Sequence, residues 1–121
     1  MDAVAAELQA EWAEEDVVIA HIPEFYNYDD VLVFQRDVLG IDEDPRLEGL
    51  HDDYYITSII ANDNPEYVRF RQRVEAGKAS INGIPIEPLD KLLADGKRII
   101  EFRTTAAVDA TRAAMREQRR R

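Results

Sequence analysis

The sequence predicts an α+β domain: a small, mostly antiparallel sheet covered by helices, with N- and C-terminal helices flanking it. Three observations carry this expectation. Apolar residues recur at helical spacing near both ends, an Asn-Gly pair lies between alternating apolar residues, and several β-branched runs are too short to be helices of their own. At 121 residues the chain reads as a single domain, 1–121, able to bury roughly two thirds of its unfolded surface.

Residues 2–15 predict an amphipathic helix capped by Asp2, with Val4, Leu8 and Trp12 on one face and Trp12 as a core anchor. Residues 17–22, with Val17, Val18, Ile19 and Ile22, read as a buried strand closed by Pro23, and His21 as a satisfied structural residue. Asp29 or Asp30 is expected to cap a helix that carries Val31, Phe34, Gln35 and Val38 and stops at Gly40. Residues 54–61, with two tyrosines, three isoleucines and a threonine, read as a second strand.

The most fully specified stretch is 64–103. Asn64 caps, Pro65 occupies the first helical position, and Tyr67, Phe70 and Val74 share a face of a helix ended by Gly77. Asn82-Gly83 then predicts a tight hairpin whose second strand, carrying Pro85, lies at an edge. A helical turn over 89–93, a turn at Asp95-Gly96 and a strand over 98–103 follow. Thr104 and Thr105 are expected to cap a last helix, 106–118, so that residues 105–121 form a peripheral basic helix with an alanine-rich face too thin to bury much area.

Charge is distributed unevenly. Residues 1–64 hold 17 acids against Arg36 and Arg46, a net of −15, whereas residues 65–121 hold 8 acids and 13 bases, a net of +5. The acidic N-terminus lacks a basic region followed by an apolar run, so no signal peptide is expected, and no apolar stretch approaches the roughly 20 residues of a membrane span. A cytoplasmic or virion location is expected on that basis.

Catalytic patterns are missing from the sequence. It has no Cys, no G-x-S-x-G elbow, no H-E-x-x-H and no phosphate-binding glycine loop, and its two histidines, His21 and His51, lack a second ligand at helical spacing. The acidic passage around Asp42 to Asp53 does not have the glycine and closing glutamate of an EF-hand loop, so no metal and no cofactor is expected. An enzyme built from carboxylates alone is the third-ranked reading.

Residues Gly77, Lys78, Ala79, Ser80, Ile81, Asn82 and Gly83, after an arginine-bearing helix and before Asp95-Gly96 and Ile99-Ile100, resemble the closing portion of an S4-type RNA-binding domain. The resemblance covers about a quarter of the chain, has Asp-Gly where that family has Gly-Asp, and follows an acidic half instead of paired basic helices. It implies phosphate contacts at Arg69, Arg71, Arg73 and Lys78. The second-ranked function is accordingly a nucleic-acid-directed regulator, either through these residues or through acidic mimicry of nucleic acid.

The first-ranked expectation is a non-enzymatic assembly or adaptor subunit, homo-oligomeric or joined to other subunits, of the kind found in phage connectors and tails. Its acidic half would meet the basic half of a neighbour. The expected contacts are the aromatic loop of Phe25, Tyr26 and Tyr28, the acidic Asp42, Glu43, Asp44, Asp52 and Asp53, and the basic Arg112, Arg116, Arg119, Arg120 and Arg121.

Overall fold

The computed structural model describes residues 1–49 and 51–120. It is an α+β fold, mostly helical, with one two-stranded antiparallel sheet and helices at both ends. The elements are α1 (Asp2–Glu11), α2 (Tyr28–Phe34), α3 (Tyr54–Asp63), α4 (Phe70–Glu75), β1 (Ser80–Ile81), β2 (Ile84–Pro85) and α5 (Leu89–Gln118). The chain divides into a central unit, Tyr28–Phe102, and a terminal unit, Met1–Asn27 with residues 103–120.

Local chemistry explains most of the central unit. Beyond α2 the chain continues through a π turn, Gln35–Leu39, which Gly40 ends at a φ of 71° while the Ile41 amide donates to the Gln35 carbonyl at 2.9 Å. Asn64 caps as expected, its side chain accepting from the Glu66 amide at 3.0 Å, but Pro65 opens only a 3₁₀ turn, Pro65–Val68, and Arg69 at a φ of 53° separates it from α4, so the single helix expected to carry Tyr67, Phe70 and Val74 on one face is broken. Gly77 closes α4 with the Lys78 amide on the Arg73 carbonyl at 2.8 Å. Asn82 and Gly83 both have positive φ, 48° and 78°, as a two-residue primed turn requires, and pair Ile81 with Ile84.

Three expected strands are not strands. Residues 54–61 lie in α3, which Asp53 caps by accepting from the Ile56 amide at 2.7 Å and which packing of one face stabilises. Its buried residues, Tyr54, Thr57, Ser58 and Ala61, recur at helical spacing. Residues 98–103 lie inside α5, where Leu92 and Ile99 face the core and where Thr104 and Thr105 cap nothing. Residues 17–22 run without turn or bend but pair with no strand among the described residues.

Asp95-Gly96 is likewise no turn. Gly96 sits within α5 where α3 comes so close that a Cβ would stand 2.3 Å from the Ser58 carbonyl oxygen. Asn62 fastens the crossing by donating to the Leu93 carbonyl at 2.9 Å. Around this contact Ile41, Tyr54, Ala61, Ile81, Ile86 and Leu92 form the apolar core. Phe34 and Phe102 stack at a centroid separation of 4.4 Å.

Candidate functional site

The acidic passage of the central unit builds a buried polar network. Glu43 accepts from the Gln35 amide nitrogen at 3.0 Å, from the Tyr54 backbone amide at 2.7 Å and from Asn82 Nδ2 at 2.8 Å. Asn82 in turn accepts from the Glu48 amide at 2.7 Å, tying the hairpin tip to the loop before α3. Asp53 uses one oxygen on the Ile56 amide and the other on the Tyr28 hydroxyl. A second buried pair joins the Tyr54 hydroxyl to Asp95 at 2.8 Å, and Lys91 also donates to Asp95.

The electrostatics follow from burial. Desolvation pushes the Asp53 carboxyl above the usual carboxylate range, reinforced by the nearby Glu43 and opposed by the hydrogen bonds from Tyr28 and Ile56. Burial, then the neighbouring carboxylates, raises both the Tyr28 and the Tyr54 phenols. Both oxygens of Asp53 and both of Glu43 are engaged within the fold. These two carboxylates and the Tyr28 hydroxyl serve the framework of the central unit. Asp44 is held down to about 2 by its pair with Arg46, while Asp42 and Asp52 are exposed.

The terminal unit is built differently. Not one of its described residues is buried, and many of its large apolar side chains are exposed. Trp12, expected in the core, is 49% exposed, Phe25 68% and Tyr26 53%, with Val4, Leu8, Val108 and Met115 also exposed. Helix α1 ends at Glu11 and starts with Met1 as its cap, so Asp2 is free to bond His21 Nδ1 at 2.5 Å. With that nitrogen protonated, Nε2 accepts from the Tyr26 hydroxyl, which makes His21 a structural bridge.

Among the grooves over this unit, two bear on the residues named above. One, of about 420 Å³, is lined by Ala5, Ala6, Gln9, Val18, Ala20 and Ala114; the other, of about 340 Å³, by Val4, Leu8, Ile22, Phe25 and Tyr26. Arg112, Arg116, Arg119 and Arg120 are exposed on the end of α5 and form no ion pair among the described residues, as do Glu7, Glu11, Glu14, Glu15, Asp16 and Glu24. Arg121 lies outside the described residues.

The sequence therefore named Phe25, Tyr26, Arg112, Arg116, Arg119 and Arg120 as contacts, and the structure places these in one unit with an apolar surface that periodicity alone assigned to the core. What reasoning from sequence missed is Gln9, whose role depends on the chain returning past α1. Of the residues implied by the RNA-binding resemblance, Arg73 donates to the Val68 carbonyl at 3.1 Å, Arg71 stands 3.5 Å from Glu66, and Arg69 and Lys78 are exposed. The last strand of that resemblance is helix in this chain.

Among the described residues no group of three or more His, Cys, Asp or Glu side chains is disposed to hold a metal ion, and no helix is long and apolar enough to cross a membrane. No protein-family model matches the chain, and no curated protein or solved structure matches it either.

Proposed function

We propose that this chain is a non-enzymatic assembly or adaptor subunit that binds protein, another copy or a different subunit, through its terminal unit. The observation that carries the reading is the contrast in burial: the terminal unit carries Leu8, Trp12, Phe25, Tyr26 and Met115 yet buries no described residue. An apolar surface with aromatic anchors and a charged rim is the composition of a protein interface. Its charges favour protein over nucleic acid, because the unpaired arginines share their unit with residues 1–27, which hold seven acids and no Lys or Arg and would repel a phosphate backbone.

The test is light scattering combined with amide hydrogen exchange. If neighbours meet through the terminal unit, association should appear at low salt and weaken as the Debye length falls from about 10 Å at 0.1 M to about 3 Å at 1 M salt. In dilute monomer, amides of the terminal unit should exchange far faster than those of α3 and the central part of α5. A monomer whose terminal unit is as protected as its central unit would overturn the reading, since such a unit needs no partner to complete it.

A further inference from the structure

The stretch of residues 17–22 is the place where the sequence asks for a strand and no mate is found among the described residues. In extended backbone, alternate residues turn their amide and carbonyl toward opposite edges. One edge is taken by a side chain: Gln9 Oε1 accepts from the Ile19 amide at 2.8 Å and Gln9 Nε2 donates to the Val17 carbonyl at 3.2 Å. A primary amide engaged in this way imitates the bonds of a neighbouring strand and fixes the segment against α1. The other edge carries the amides and carbonyls of Val18 and Ala20. Neither residue makes a hydrogen bond with the described residues, both are exposed, and both line the groove of about 420 Å³.

We infer that residues 17–22 are an acceptor for β-augmentation, taking up an extended apolar segment of a partner protein that is flanked by Lys or Arg. The inference rests on the protein-docking reading above and names the partner's chemistry. Backbone bonds to Val18 and Ala20 would hold the strand, and the small side chains of Ala5, Ala6, Ala20 and Ala114 leave room beside it. Charge selects the occupant. Glu11, Glu14, Glu15 and Asp16 precede the segment and Glu24 follows it, all without an ion pair among the described residues, so a strand with basic ends meets opposite charge at both ends. A second copy of the same segment would bring its own acidic flanks, Asp16 and Glu24, to this acidic surface and so lacks the complementary charge.

The experiment uses the full chain and a synthetic peptide of about ten residues, alternating valine and threonine with two lysines at each end. Binding is followed by titration and by exchange of individual amides. The peptide should bind and slow exchange at Val18 and Ala20, and glutamates in place of the lysines should weaken it by about tenfold or more, a gap that narrows at 1 M salt. Methylating every core amide of the peptide should abolish binding. Equal binding of the methylated peptide, or protection of Val4 and Leu8 without change at Val18 and Ala20, overturns the strand inference and leaves docking through the terminal unit standing. No binding, with the terminal unit open to exchange in the free monomer, has the same meaning. No binding by a monomer whose terminal unit is fully protected overturns both.

Discussion

The two units of this chain handle polar and apolar groups in opposite ways. In the central unit apolar residues close on one another around Tyr54, Leu92 and Ile99, and the buried carboxylates Glu43 and Asp53 have every oxygen engaged. In the terminal unit similar residue types are held outward: tryptophan and phenylalanine lie exposed, and Glu11, Glu14, Glu15, Arg112 and Arg116 form no ion pair among the described residues. Helix α1 is attached through Gln9, Asp2 and His21 more than through burial. A chain that completes one unit and leaves another open has the distribution expected of a self-sufficient framework carrying a contact surface.

The contrast is broken most severely at Gly96. Alanine there would gain about 1 kcal/mol of helix propensity, but its Cβ would stand 2.3 Å from the Ser58 carbonyl oxygen, a backbone atom that cannot move without shifting α3. Gly96→Ala should therefore destabilise the central unit by about 2 to 4 kcal/mol in chemical denaturation. A variant as stable as the parent would mean that the α3–α5 crossing is looser than described. Gly83→Val should follow with a loss of about 1 to 3 kcal/mol, because a β-branched residue resists the positive φ of 78°.

These positions also mark how far the sequence was legible. Asn64-Pro65, Gly40, Gly77 and Asn82-Gly83 were read correctly because each acts through its own backbone within a few residues. The run 54–61 was misread because its buried face is Tyr54 with Thr57, Ser58 and Ala61, of which the last three are small or polar and do not look like a core until α5 lies against them. Gly96 was misread for the same reason: its lack of a side chain serves close approach between helices and not a turn. The openness of α1 was hidden because a stripe of Val4, Leu8 and Trp12 looks identical whether its cover comes from the chain or from a partner.

Asp53 sharpens the comparison through pH. Its folded pKa is raised, so the stability it contributes is fully present below its unfolded value near 3.8 and is lost as pH rises through the folded value. At neutral pH the buried carboxylate is therefore a cost that protonation relieves. Asp53→Asn keeps a good cap and can still bond Tyr28, so it should be at least as stable as the parent at pH 7 and should flatten the gain in melting temperature between pH 7 and about pH 4. Asp53→Ala should instead lose about 1 kcal/mol or more, by removing the cap. A parent and Asp53→Asn with parallel pH profiles would show that burial does not dominate at this site.

The smallest effect on stability is expected in the terminal unit, and it decides most about function. Leu8 and Trp12 are 39% and 49% exposed, so replacing both with aspartate removes only part of a side chain's burial and should lower the unfolding free energy by about 1 kcal/mol each. The same replacement puts charge into the open apolar surface and adds to an already acidic segment, which should abolish association through it. Replacing Arg112, Arg116, Arg119 and Arg120 with lysine separates the forces at the rim. Association should fall only partly if these residues supply diffuse positive charge, and strongly if they fork onto carboxylates of a neighbour. A doubly aspartate-substituted chain that unfolds much more easily than the parent would show that Leu8 and Trp12 are buried in solution, and the distinction between a closed central unit and an open terminal one would fall with it.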